Sequence, residues 1–422
     1  MKTRLALVTL IVFVSFCGAC GGGGGNSTPV PAAKPTTAPT AAPTSPPTAT
    51  PSSTPTPATS GSNEQPIEVN GGPQENYING LFTSVMVCVP GTTDCQTISN
   101  VLVDTGSYGL RILGSALTIS LPGQTSGGNA VAECAFFADS FTWGPVATAD
   151  VEISGEVANN APLQIVGEPG FLSPPPASTN GGLPPADNLE ALGANGLLGV
   201  GPLIQDYGSA CAGGSASVAE YFLCTSSTCS ATSQSLAAQV QNPVALFSQD
   251  NNGLAVNLPA ISADGVPTAS GSLIFGIGTR SNSGLGSATV YTLNSLGEFT
   301  TVYGGVSYDS LLDTGSNALF FLTPGVTGIP ECSGTNSGFY CPTSTMSLSA
   351  QNVGTNGASG TVTFDIANAD SLFSTSNSAF NDLGGTSSDF FDWGLPFFFG
   401  RQVFVAIEGQ ETPSGPGPYF AY

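Results

Sequence analysis

The chain has 422 residues, 28 acidic side chains, six basic ones and no histidine. Without imidazole there is no Ser-His-Asp or Cys-His nucleophile system and no histidine metal site. Lys2, Arg4 and Lys34 lie near the start, so only Arg111, Arg280 and Arg401 serve the remainder; this excludes a lysine Schiff base, a Walker-type loop and the clustered basic footprint of a nucleic-acid binder. Every acid lies beyond residue 60, leaving that part with a formal charge of −25. Acid-base chemistry falls to carboxylates, with cysteine as the other candidate.

Residues 1–20 read as an export signal. Lys2 and Arg4 precede an apolar run from Leu5 to Phe16, too short for the roughly 20 residues that span a bilayer. The run ends in Cys17-Gly18-Ala19-Cys20, which resembles a bacterial lipoprotein processing site with Cys20 as the acylated residue. Gly21 after it resembles an outer-membrane sorting signal. Residues 21–63 begin with five glycines and continue as a Pro/Thr/Ala/Ser stretch with too few large apolar side chains to offset the entropy of ordering. They read as a disordered tether, long enough to hold a domain away from a membrane.

From residue 64 onward short apolar runs recur between turn signals, and helix formers are scarce. Phe82–Val89, Val101–Val103, Val151–Ile153, Leu273–Gly276 and Thr361–Phe364 read as strands. Ser233–Gln241 is the best helix candidate. The expected class is all-β, in two lobes of residues 64–235 and 236–422. Eight cysteines beyond the leader, an even number in an exported chain, argue for disulfides. Short loops suggest Cys88–Cys95, Cys224–Cys229 and Cys332–Cys341, which leaves Cys134 with Cys211; Cys211–Cys224 with Cys134–Cys229 is the alternative. None of these eight forms a Cys-x-x-Cys pair that would offer a zinc site.

One tetrapeptide occurs twice. Val101-Leu102-Val103-Asp104-Thr105-Gly106-Ser107 and Ser310-Leu311-Leu312-Asp313-Thr314-Gly315-Ser316 both run from apolar strand into Asp-Thr-Gly-Ser, with a leucine three residues later. A single copy would be an ordinary surface turn. Two copies with matched flanks point to a paired site. Gly106 and Gly315 let the backbone turn sharply beside a carboxylate, while the hydroxyls of Thr105, Ser107, Thr314 and Ser316 can fix its geometry. Facing loops would bring Asp104 and Asp313 together, and two close carboxylates cannot both ionise. The ionised one can take a proton from water while the protonated one polarises a carbonyl. That design needs neither histidine nor metal.

These motifs resemble those of the pepsin-type aspartic proteases. The resemblance implies a bilobal double β-barrel with the site in a cleft between the lobes. It makes Asp104 and Asp313 the catalytic pair that holds the hydrolytic water. It also implies a peptide or protein substrate, a monomer and no cofactor or metal. Asn195–Gly201, with Leu198 and Gly199, resembles the segment backing the first catalytic loop; Trp393-Gly394, with Val403–Ile407, resembles the one backing the second. Gly271–Gly276 resembles the strand opening the second lobe. Phe137 stands where the family has a flap tyrosine, and Arg111 where it has a tryptophan. Arg111 could lower a carboxylate pKa by charge attraction or pair with a structural acid, and the structural role is the one expected. The whole chain also resembles an uncharacterised group of proteobacterial lipoproteins of unknown function, which implies lipid anchoring in the cell envelope, at the outer membrane. The competing readings are an inactive pepsin-like fold that binds partners, an envelope scaffold with fortuitous turns, and a carboxylate-pair glycosidase. For the last, Glu133, Asp139, Asp150 and Glu152 lack an organising spacing.

Overall fold

Alternating or continuous apolar runs closed by tight turns dictate a strand-built molecule, and the computed structural model has that form over residues 63–176, 182–212 and 220–422. The expected signal peptide, Cys20 and the tether lie outside the described residues, apart from Asn63. Asn63 already belongs to the fold, because its buried amide donates to the Phe275 carbonyl at 2.6 Å. All five expected strands form, in the longer elements Gly80–Cys88, Cys95–Asp104, Phe141–Ile153, Ala269–Phe275 and Ser359–Ile366, with only Val89 and Gly276 of the expected residues falling one past a strand end. Turn chemistry explains their hairpins. Ser154 and Gly155, both at positive φ, link Phe141–Ile153 to Glu156–Val166 in register Ile153↔Glu156, the two-residue turn whose twist suits adjacent strands.

The expected helix over Ser233–Gln241 does not form. A single 3₁₀ turn occupies Leu236–Ala238. Beyond it Val240 is buried and Gln241 bridges Gln205 in extended form. Tertiary pairing outweighs a weak helical preference there.

A 16-stranded sheet carries strands from both halves of the chain. Its seam is Glu64–Asn70, which pairs antiparallel with Gly80–Cys88 on one side and with Ala269–Phe275 on the other. Gln402–Ala406 also lies in this sheet, against Gly253–Asn257 and Tyr419–Ala421, so Val403–Ile407 does not directly back the second loop as expected. A seven-stranded sheet is built from Phe299–Tyr303, Val306–Leu312, Leu319–Phe321, Met346–Val353, Ser359–Ile366, Gly384–Gly385 and Phe390–Trp393. Its core is aromatic: Trp393 packs on Phe391, Phe364 and Phe397 with ring centroids 4.6, 5.2 and 5.3 Å apart. Rings in these tilted and edge-on contacts add about 0.5–1.5 kcal/mol each beyond area burial.

Three disulfides join Cys88 to Cys95, Cys224 to Cys229 and Cys332 to Cys341, as the short loops suggest. The expected Cys134–Cys211 bond is absent, and so is its alternative. Strand alternation is the reason. Cys134 faces a cluster with Ala132, Phe141 and Trp143, whereas Cys211, on the short helix Gly208–Ala212, packs on the other side with Val131, Val146 and Tyr221. Burial raises the Cys211 thiol to about 11, which keeps it unreactive.

Candidate active site

Each Asp-Thr-Gly-Ser copy is a loop between two strands that flank a third. Cys95–Asp104 runs parallel to Gly196–Val200 with Asp104 opposite Gly199, and Tyr108–Leu113 returns antiparallel along its other edge. In the second copy Val306–Leu312 runs parallel to Phe390–Trp393 with Leu312 opposite Trp393, and Leu319–Phe321 returns antiparallel. Leu198, Gly199, Trp393 and Gly394 thus back the two loops. A side chain at 199 would collide with the Tyr108 backbone at 2.5 Å, and one at 394 with the Ala318 carbonyl at 2.0 Å. Glycine is required where these strands cross behind the loops.

The two loops grip each other reciprocally. Thr105 Oγ1 donates to the Leu312 carbonyl at 2.8 Å and accepts from the Thr314 amide at 3.0 Å; Thr314 Oγ1 donates to the Val103 carbonyl at 2.8 Å and accepts from the Thr105 amide at 3.1 Å. Within each loop the carboxylate is held twice. The Gly106 amide donates to Asp104 Oδ1 at 2.7 Å and Ser107 Oγ to Oδ2; the Gly315 amide donates to Asp313 Oδ1 at 2.7 Å and Ser316 Oγ to Oδ2 at 2.7 Å. A methyl group on Gly106 would lie 2.6 Å from the Asp313 carboxyl carbon, and one on Gly315 would lie 2.7 Å from that of Asp104. Each glycine therefore clears space for the acid from the other half of the chain.

Both carboxyls are 0% exposed. Burial raises both pKa values, and Asp313 goes well above the usual range because the charges of Asp104 and Asp392 add to its desolvation. Asp104 is restrained by its hydrogen bonds and, more weakly, by the Arg111 charge. The pair titrates as a unit, with Asp313 holding its proton to higher pH.

Arg111 is paired as expected. Its guanidinium contacts Glu133 at 2.5 Å and Asp206 at 3.2 Å, and donates to the Tyr108 carbonyl at 2.7 Å, all in a buried site. Those acids hold it charged against its own desolvation. Phe137 sits in the turn between Asn129–Phe136 and Phe141–Ile153, buried, with the Arg111 guanidinium 5.9 Å from its ring centre. The pair lines a recess of about 10 Å³ with Ser107 and Asp206, so the two residues that the resemblance set at the flap and tryptophan positions meet beside the first loop. Asp139 follows in that turn, and burial raises it to about 6.

Two neighbours were not foreseen. Tyr77 is buried close enough to Asp104 and Asp313 for their charges to raise its hydroxyl pKa further, beyond the effect of its own burial. Asp392, beside Leu311 in register, is 0% exposed with neither oxygen hydrogen-bonded. An acid inside the apolar run Phe390-Phe391-Asp392-Trp393 is the signal that could have exposed the second.

Residues 59–422 match the family described as Protein of unknown function (DUF3443). The chain belongs to this family. No curated protein matches the sequence. Among solved structures, an aspartic proteinase from Irpex lacteus superposes on this family member with a TM-score of 0.52 at 18% identity, covering 85% of this chain and 96% of that one. The likeness establishes a strand-dominated, pepsin-like double-barrel fold, and at that identity it speaks to fold alone.

Proposed function

We propose that this chain is a cell-envelope lipoprotein whose folded body is an aspartic endopeptidase, with Asp104 and Asp313 as the catalytic residues. The observation that carries the reading is the reciprocal clearance: each glycine makes room for the opposite carboxyl, and each threonine ties down the opposite loop. A water held between the carboxyls loses a proton to ionised Asp104, and its oxygen attacks the peptide carbonyl carbon. Asp313 gives its proton to the carbonyl oxygen. The proton on Asp104 then passes to the leaving nitrogen as the C–N bond breaks, and the diol returns a proton to Asp313. Cys20 is the acylated anchor, the location is the outer membrane, the partners are unfolded or flexible polypeptides, and the protein acts as a monomer.

The full burial of both carboxyls favours one second reading, a pepsin-like fold that binds without cutting. The test is incubation of the purified protein with an unfolded polypeptide between pH 3 and 7. Cleavage that is lost in Asp104→Asn and in Asp313→Asn, with the fold intact, supports the peptidase. Absence of cleavage together with tight binding of a statine-type inhibitor supports the second reading.

A further inference from the structure

The halves of the site match in strand pairing, but their side chains differ, and one of the differences is Asp392. In the first half Leu198 and Leu110 are paired, so Leu197 lies opposite Arg111; in the second half Trp393 and Leu319 are paired, so Asp392 lies opposite Phe320. Asp392 therefore takes the place of Leu197. Its strand holds the Asp313 loop at both ends: the Asp313 amide donates to the Trp393 carbonyl at 3.0 Å, and the Leu395 amide donates to the Ser316 carbonyl at 2.8 Å. Such a carboxyl, fully buried with neither oxygen hydrogen-bonded, cannot carry charge cheaply.

We propose that Asp392 is a positioning residue of the carboxylate pair, keeping the shared proton on Asp313 to higher pH than the pair alone would. The inference rests on the peptidase reading of the site. Asp104, Asp313 and Asp392 are three fully buried acids, the last on the strand bonded to the Asp313 loop, and each charge placed among them raises the cost of the next. Ser316 links two of them, since its hydroxyl is committed to Asp313 Oδ2 and it is the side chain with which Asp392 interacts. The other titratable groups around the strand do not offset this. Asp309 and Asp389 are exposed at its outer end, and Asp382 lies before Gly384–Gly385, which Leu319–Phe321 separates from the Asp392 strand. Tyr303 packs on Phe391, on the opposite face. Arg111 acts on Asp104, and Tyr77 is buried within range of the charges of Asp139, Asp104 and Asp313.

The test compares the parent with Asp392→Asn, which keeps the shape, and with Asp392→Leu, which restores the residue type found at 197. The rate of peptide cleavage (kcat/KM) and binding of a statine-type inhibitor are each followed from pH 3 to 8. In both variants the alkaline limb should move to lower pH by about half a unit or more, because a like-charged neighbour has been removed. The optimal rate should stay within about threefold of the parent. An alkaline limb that stays in place in the folded variants overturns the proposal. If the parent neither cleaves nor binds the inhibitor, the peptidase reading fails, and Asp392 is judged by unfolding stability alone. Stability of the parent should then fall more steeply than that of Asp392→Asn between pH 5 and 8; equal slopes overturn the proposal.

Discussion

The two Asp-Thr-Gly-Ser loops have the same strand pairing and the same internal hydrogen bonds, but they sit in unlike electrostatic surroundings. Beside the first, the position opposite the backing strand is Arg111, a cation embedded with Glu133 and Asp206. Beside the second, the corresponding pair is Phe320 and Asp392, and the nearby titratable group is a fully buried acid with Ser316 as its side-chain neighbour and, among the described residues, no cation beside it. A symmetric pair of carboxyls would share a proton evenly. Here the cation favours charge on Asp104 and the extra acid disfavours it on Asp313. On the proposed peptidase reading, near-identical loops thereby take different chemical roles, base and acid, with the difference supplied by the strands behind them.

The comparison can be tested from its largest effect downward. Gly106→Ala and Gly315→Ala should each reduce cleavage by about a thousandfold or more, since each methyl group displaces the opposite carboxyl from its working position. Unequal losses would show that the loops are not equivalent in the way the clearances imply. Arg111→Leu should destabilise the fold by about 3–5 kcal/mol, because Glu133 and Asp206 remain buried without their cation. Asp392→Leu should instead be neutral or stabilising at neutral pH. Denaturant titration of both variants measures that contrast directly, and a costly Asp392→Leu would contradict it.

Thr105→Val and Thr314→Val should each cost about 1–3 kcal/mol by stranding a buried amide. The double variant should cost less than the sum, since the two hydroxyls serve one grip. The last effect concerns pH. Burial raises Glu220 and Asp382 each to about 7, so the folded chain binds more protons than the unfolded one between about pH 4 and 7. Stability contributed by these groups is complete below pH 4 and is lost as pH rises through 7. Thermal unfolding should therefore occur at a higher temperature at pH 5 than at pH 8, and a rise toward pH 8 would refute the assignment.

What the sequence discloses follows from the range of each interaction. Asp104 and Asp313 are legible because their motif repeats, and Leu198, Gly199, Trp393 and Gly394 because apolar residues beside glycine are local signals. The short disulfides are legible for the same reason. Arg111 reads as a cation needing an acid, but its partners lie 22 and 95 residues away, beyond any local pattern. Cys134 was misassigned because pairing by elimination ignores which face of a strand a side chain occupies. The threonine grip spans 209 residues and emerges only when the two loops meet.

The seam strand Glu64–Asn70 has a consequence for how the molecule is made. Its hydrogen-bonding edge is completed by Ala269–Phe275, roughly two hundred residues later in synthesis. Until that segment arrives, the first half presents an open sheet edge carrying Ile67 and Val69, of the kind that recruits stray strands. A chain released early, or stopped before residue 275, would be left with that edge unpaired. The join between the halves thus doubles as a completion check on the polypeptide.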